Sequence, residues 1–169
     1  VPHIGPFPPQ VIEGFYNVED FGAKGDDLED DTIALQRAID HVKGLGTDLR
    51  SHAMKVIYFP AGDYYVRDKL TFGEENVRYM VVLGENKINT RLILSPNSPG
   101  FDNPAQPKEV LAFFDGEHDN NQFWNSVLNL TIAVEAGNPG AIALQYHQNN
   151  AGRIQDVSLI AKEIVANMV

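Results

Sequence analysis

Cysteine is absent from this chain of 169 residues, and basic residues and long apolar runs are scarce. Without cysteine there is no disulfide, no thiolate zinc site and no cysteine nucleophile. Lys and Arg number 13 against 23 Asp and Glu, so the net charge is −10. This balance argues against nucleic acid as a partner, because that binding depends on neutralising phosphates. No apolar run approaches the roughly 18 residues of a membrane span, so membrane insertion is not predicted.

What is present is typical of one globular domain. The chain is 43% hydrophobic and 21% charged, close to the average for folded proteins. Residues 1–14 contain four prolines and two glycines, which predicts an extended arm before the domain. The acid excess also disfavours a polyanionic polysaccharide, unless a basic cleft or a bound cation compensates for it.

One helix is predicted, over residues 32–43. Asp30 or Asp31 can cap its start by accepting hydrogen bonds from the backbone of the first turn, where negative charge also suits the helix dipole. Gly44 and Gly46 can end the helix. The apolar residues expected to form its buried stripe are Ile33, Leu35, Ala38, Ile39 and Val42.

Short runs rich in β-forming residues dominate the rest of the chain, and no second helix is convincing. Nine or ten short strands separated by turn residues predict a mostly β protein. Residues 95–109, with four prolines, predict an excursion loop. The predicted strands are 15–18, 56–59, 64–66, 70–72, 79–83, 91–94, 110–114, 127–134, 141–146 and 154–161.

The strand-like runs repeat at intervals in the middle twenties. Residues 127–134 can be laid over 154–161 at an offset of 27, which aligns Asn129 with Asp156. Residues 56–59 can be laid over 80–83 at an offset of 24. Such a period is typical of a solenoid whose turns stack on one another. Evenly spaced strands also suit an ordinary β-sandwich, and spacing alone does not decide between the two.

Two motifs decide in favour of the solenoid. Residues 18–40, VEDFGAKGDDLEDDTIALQRAID, resemble the opening motif of the pectate-lyase-like superfamily of right-handed parallel β-helices. Residues 56–66, VIYFPAGDYYV, resemble the motif that follows it in that superfamily. The combination is most similar to glycoside hydrolase family 55 and related bacterial proteins. Asp27 stands where the family usually has glycine, so we expect a positive φ there.

The resemblance implies a mostly β fold, a right-handed parallel β-helix preceded by a capping α-helix. The helix would cover the open N-terminal end of the coils, which span about 54–161. We expect residues 15–169 to be the N-terminal part of a longer β-helix that continues beyond Val169. The positions that match the family's cap and turn are Gly22, Gly25, Asp26, Asp30, Asp31 and Thr32.

For function, the resemblance implies a secreted or cell-surface bacterial protein that acts on a polysaccharide such as a β-glucan or a pectin-type polymer. A glycoside hydrolase is favoured, and its catalytic carboxylates would lie downstream, so no catalytic residue is assigned. One alternative is a non-catalytic binding or structural module, as in tailspikes and adhesins. A second is a polysaccharide lyase, which would need Ca²⁺ or a basic cleft for a polyuronate.

Residues 146–149, Tyr-His-Gln-Asn, form the candidate sugar-binding stretch. Tyr146 offers a flat face, Gln148 and Asn149 offer hydrogen-bonding amides, and His147 can exchange protons near neutral pH. A turn between strands explains the same residues. Glu135, an acid in the last two predicted coils, is added to the candidate sugar-binding residues.

Other side chains receive structural assignments. Phe123 and Trp124 are expected to be core or coil-capping aromatics. The acidic residues between 26 and 31 offer oxygen ligands for Ca²⁺, although helix capping is the favoured explanation. No metal-binding motif is found, and no cofactor is predicted.

Overall fold

The computed structural model describes residues 14–45, 54–74, 77–114, 122–148 and 151–162. Within these ranges the chain forms one α-helix, one short 3-10 helix (Val18–Phe21) and twelve strands. The elements are β1 (Phe15–Asn17), α1 (Thr32–Gly44), β2 (Lys55–Phe59), β3 (Gly62–Val66), β4 (Leu70–Thr71), β5 (Met80–Gly84), β6 (Thr90–Leu94), β7 (Lys108–Ala112), β8 (Ser126–Leu128), β9 (Thr131–Val134), β10 (Ala141–Gln145), β11 (Arg153–Gln155) and β12 (Ser158–Ala161).

The strands form three parallel sheets. Sheet A has the order β1-β2-β5-β8-β11, sheet B the order β3-β6-β9-β12 and sheet C the order β4-β7-β10. The chain passes from sheet A to B to C and then begins again, which defines coil 1 (β2–β4), coil 2 (β5–β7), coil 3 (β8–β10) and coil 4 (β11–β12). Every named pairing is parallel, which confirms the predicted parallel β-helix.

The strand register confirms one predicted offset and corrects the other. Val127 pairs with Ile154 at the predicted offset of 27. Val56 pairs with Val81, an offset of 25, so the predicted 24 was wrong by one residue. A slip of one residue exchanges the two faces of a strand. Four of the five residues of β5 are buried, so both of its faces are apolar. The sequence pattern therefore does not show which residues face inward, and the register could not be read from it.

Two runs predicted as single strands are each two strands around a corner. Asn129 separates β8 from β9 at φ 57°, and Asp156 occupies the same place in coil 4 at φ 53°. Left-handed backbone ends a strand, and Asn and Asp tolerate it better than most residues. The two residues that the sequence aligns, Asn129 and Asp156, therefore lie at corresponding corners of successive coils.

Helix α1 packs against the first coil. Its residues Leu35, Ala38, Ile39 and Val42 are buried in the core, and it contacts β1, β2 and β4. Ile33 is 67% exposed, so its assignment to the buried stripe was wrong. At 100° per residue, Ile33 lies on the opposite side of the helix from Val42, because nine residues turn through two and a half turns.

The N-terminal edge of each sheet meets a partner from the segment before coil 1. Strand β1 pairs with β2 in sheet A. In sheet B, the backbone N–H of Asp31 donates to Tyr65 O at 2.8 Å. In sheet C, the Gln36 amide accepts from Thr71 N at 3.0 Å and donates to Thr71 O at 2.9 Å. Covered edges do not pair with other chains. These contacts suit a lid on coil 1, and that role of α1 stays a prediction.

Candidate functional site

The predicted cap and turn residues lie together between β1 and α1. Asp30 Oδ1 accepts from the backbone N–H of Thr32 at 3.0 Å and from its hydroxyl. Gly22 has φ 99°, where glycine is favoured. At Gly25 a Cβ would lie 2.9 Å from the Cα of Gly62, so the turn needs the bare backbone. Asp26 is exposed.

Asp31 occupies the N-cap position of α1, but its side chain does not cap the helix. Its Oδ1 accepts from Lys24 N at 2.7 Å, while Oδ2 is buried without a hydrogen-bond partner. Burial raises the pKa of Asp31 to about 6, and the charges of Asp27 and Asp30 act in the same direction. The carboxyl group therefore tightens the turn before the helix.

The acidic loop departs from two expectations. Asp27 is not among the residues with positive φ, so that expectation was wrong; its Oδ1 instead accepts from Glu29 N at 3.0 Å. In the part of the chain that the structure describes, no three acidic or histidine side chains are grouped as metal ligands. The geometry of these residues therefore does not support a Ca²⁺ site at 26–31.

Two residues of the candidate sugar-binding stretch bind the backbone just before β8, at the start of coil 3. Tyr146 donates from its hydroxyl to Asn125 O at 2.6 Å, and burial raises its pKa to about 12. Gln148 donates from Nε2 to Gln122 O at 2.6 Å and accepts from Asn125 N at 3.3 Å. His147 is half-buried between them. Asn149 lies outside the described residues.

Glu135 is not brought to this stretch. It lies at the end of β9, where its carboxylate pairs with Lys162 Nζ at 2.7 Å. Glu135 precedes β10 in the chain, whereas Tyr146 directly follows this strand of five residues. At about 3.3 Å per residue, roughly 17 Å of strand separate the two positions along the chain. Sugar contact by Glu135 and by 146–149 stays a prediction, but one sugar ring does not reach both.

A second aromatic group lies at the corner between sheets C and A. We call Arg78, Tyr79, Phe123 and Trp124 the aromatic corner. The Tyr79 and Trp124 rings stack at 4.9 Å with 5° between their planes, and the Arg78 guanidinium lies 5.8 Å from the centre of the Phe123 ring. Phe123 and Trp124, expected to be core or coil-capping aromatics, are half-buried and outside the buried core, so the core alternative was wrong and the coil-capping one stays a prediction.

The backbone beneath this corner is fixed from both sides. Asn125 accepts from Met80 N at 3.1 Å and donates to Val77 O at 2.8 Å, and Gln122 accepts from Val77 N at 3.2 Å. The bonds from Tyr146 and Gln148 reach the same two residues, Gln122 and Asn125. Phe123 and Trp124 are thus held between two hydrogen-bonded polar residues.

An open depression of about 580 Å³ lies at the C-terminal end of the described coils. Its lining includes Ala141 and Ala143 of β10 together with Leu159 and Ile160 of β12. Leu159 and Ile160 are 56% and 48% exposed, unlike Ile132 and Leu92, which precede Leu159 in the same row of sheet B. Glu135, Asn138 and Lys162 also line the depression, so apolar rows that are interior in lower coils meet polar residues here.

Comparison with known proteins places the fold and the motifs in one family. The family model described as rhamnogalacturonase A/epimerase, pectate lyase-like, matches residues 15–167. The chain belongs to this family. The superfamily resemblance seen in the sequence is thereby confirmed.

Similar proteins act on more than one kind of polysaccharide. A glucan 1,3-beta-glucosidase of Cochliobolus carbonum is 30% identical over 161 residues, covering 86% of this chain and 19% of the glucosidase. Mannuronan C5-epimerase AlgE1 of Azotobacter vinelandii is 51% identical over 53 residues, covering 30% of this chain and 3% of the epimerase. The chain thus spans a fifth or less of these relatives.

A solved structure shares the fold. The ORF18 protein of Geobacillus virus E2 superposes with a TM-score of 0.62 at 23% identity, over 85% of this chain and 25% of the viral chain. No helix in the described ranges is both long and apolar enough to cross a bilayer. The fold, the family and a carbohydrate-active relationship therefore stand on independent comparisons.

Proposed function

We propose that this chain is the N-terminal β-helical part of an extracellular glycoside hydrolase that acts on a β-1,3-glucan. The observation that carries the proposal is the similarity to the glucan 1,3-beta-glucosidase, which extends over 86% of the chain. The similarity to the mannuronan epimerase extends over 53 residues. A shared substrate would be bound along the coils, so similarity that extends beyond the opening motif favours the glucosidase as the guide to substrate.

Charge supports a neutral glucan over a polyuronate. The net charge of −10 repels a polyanion at long range, and the described residues hold no metal-ligand group that would bridge two carboxylates. A lyase or epimerase acting on a polyuronate is therefore the less favoured enzyme. The carboxylates of the hydrolase would be supplied by the part of the β-helix that follows Val169.

A non-catalytic module remains the second candidate. The paired acids that glycoside hydrolysis needs are typically about 5–10 Å apart across a cleft. The described acids that neighbour one another, Asp27, Asp30 and Asp31, each accept a backbone N–H of the turn before α1, which is a structural use. A β-helix that only binds glycan, like a tailspike or an adhesin, needs no such pair.

The proposal is tested with the full chain in polyacrylamide gels containing laminarin, a β-1,3-glucan. We expect laminarin to retard the chain and alginate or polygalacturonate to leave its mobility unchanged. Reducing-sugar release from laminarin is expected only from a longer protein that includes the residues after Val169. Appearance of the ultraviolet absorbance of an unsaturated uronate would instead identify a lyase.

Two outcomes would overturn the assignment. Retardation by alginate but not by laminarin would contradict the glucan substrate. A longer protein that binds laminarin as a trimer and releases no sugar would favour the binding module. Sedimentation of that longer protein distinguishes a trimer from the monomer expected of a hydrolase.

A further inference from the structure

We infer that the indole of Trp124 is a stacking platform for one pyranose ring of a bound neutral β-glucan. The inference rests on the proposed function and assigns it a contact that the relatives' names do not supply. Sugar rings present C–H groups on one face, and an aromatic face with its negative quadrupole receives them. Trp124 is half-buried at the surface of the corner rather than in the core.

The aromatic stack stops at Trp124. Ser126 pairs with Val81 below it and with Arg153 above it, so Tyr79, Trp124 and Ala151 occupy one row of the β-helix. All three have left-handed backbone, with φ of 60°, 56° and 55°. Tyr79 covers one face of the indole. Ala151, which is exposed, has only a methyl group to set against the other face.

The backbone at this row is costly for large side chains. A bulky residue other than glycine with positive φ is an outlier, because this backbone conformation is strained. Asn and Asp occupy the equivalent strained place at the other corner, between sheets A and B. At the aromatic corner the strain is accepted for Tyr and Trp, which points to a use for the rings themselves.

Tyr146 and Gln148 act here as positioning residues. Their three hydrogen bonds reach Gln122 O, Asn125 N and Asn125 O, on either side of Phe123 and Trp124. A platform fixed before binding loses less conformational entropy when the ligand arrives. Tyr146 and Gln148, which the sequence predicts to bind sugar, thus affect sugar binding through the position of Trp124.

The chain offers a direct reporter, because Trp124 is its one tryptophan. Laminarin added to the full chain should change the tryptophan emission saturably and protect it from acrylamide quenching. Dextran, an α-linked glucan, is the control polymer and should do neither. If laminarin retards the chain in a gel while emission and quenching stay constant, the platform is wrong and the glucan function stands.

Substitutions separate contact from positioning. Trp124→Ala should weaken laminarin retardation by roughly tenfold, and Trp124→Phe by less, because a smaller ring keeps part of the stack. Gln148→Leu should raise acrylamide quenching of Trp124 and weaken binding by a few-fold. Tyr58→Ala is the matched control, since Tyr58 is a half-buried aromatic on coil 1 whose ring lies 5.1 Å from that of Phe15; laminarin binding by this variant should not change.

Each remaining result has one meaning. Equal binding by Trp124→Ala and the unaltered chain, with unchanged circular dichroism, overturns the platform alone. If Trp124→Ala does not fold, the laminarin binding of Trp124→Phe and the tryptophan emission of the unaltered chain still test whether Trp124 contacts the glucan. Absence of laminarin binding by the unaltered chain in both assays overturns the proposed glucan function, and the platform for a glucan with it.

Discussion

Asp31 carries a carboxyl group into the interior next to two other acids. It is 4% exposed, and its Oδ2 has no hydrogen-bond partner. Its pKa of about 6 lies above the ordinary 3.8, so between these values the folded chain holds a proton that the unfolded chain releases. The free energy of unfolding should therefore fall as pH rises through this interval, by up to about 3 kcal/mol.

Asp31→Asn should remove this pH dependence while keeping an oxygen for the Lys24 N–H. Thermal unfolding followed by circular dichroism at about pH 4 and about pH 7, which bracket the interval, measures this dependence. We expect the unaltered chain to lose more stability than the variant across that range. Asp26→Asn removes the same charge from an exposed site and should behave like the unaltered chain. Equal pH dependence in all three proteins would contradict the prediction.

At the scale of elements, α1 substitutes for a strand at the edge of sheet C. The Gln36 amide makes both backbone bonds to Thr71 that a neighbouring strand would make. Gln36→Ala should therefore reduce the free energy of unfolding by about 2 kcal/mol, since two bonds to partly buried backbone are lost. Chemical denaturation of the full chain gives this value directly.

The control for Gln36 is on the same helix. Asp40 Oδ1 also accepts from Gln36 Nε2, at 2.9 Å, but this bond is exposed. Asp40→Ala should change the stability by only a few tenths of a kcal/mol. If both variants lose the same amount, the Asp40 contact and not the strand edge explains the effect of Gln36.

How far the elements follow from sequence depends on the kind of pattern. The helix and the coil period of 27 were predicted because residues 32–43 and the runs 127–134 and 154–161 carry regular spacing. The row Tyr79–Trp124–Ala151 was missed, because Ser126 pairs with Val81 across 45 residues and so breaks the period. A loop of unequal length hides register from sequence, although it leaves the strands recognisable.

The candidate site was predicted in composition but not in role. Tyr146 and Gln148 were selected for their ring and amide, and both turn polar atoms to the backbone of coil 3. Hydrogen bonds of this kind depend on which coil lies beneath, which one sequence does not specify. A strained backbone at Trp124 leaves no sequence signal either, since Trp is not a residue that favours positive φ.

At the scale of the whole molecule, the two ends of the stack differ. The N-terminal edges meet β1, Asp31 and Gln36, whereas β10, β11 and β12 are the last strands of their sheets among the residues that the structure describes. Two rows that are buried in lower coils reach the surface there: Ile154 is 49% exposed and Leu159 is 56% exposed. Unpaired strand edges with apolar side chains favour association.

The chain of 169 residues should therefore associate through this end in a concentration-dependent way. Sedimentation velocity over a range of concentrations measures the association. Leu159→Lys places a charge on the apolar end and should shift the protein toward monomer, because burying an unpaired ammonium is costly. Ile88→Lys is the control, since Ile88 is 79% exposed at a corner of coil 2 and its replacement should leave association unchanged. A monomer at every concentration would mean that the end is already covered, and the difference between the two ends would then need another explanation.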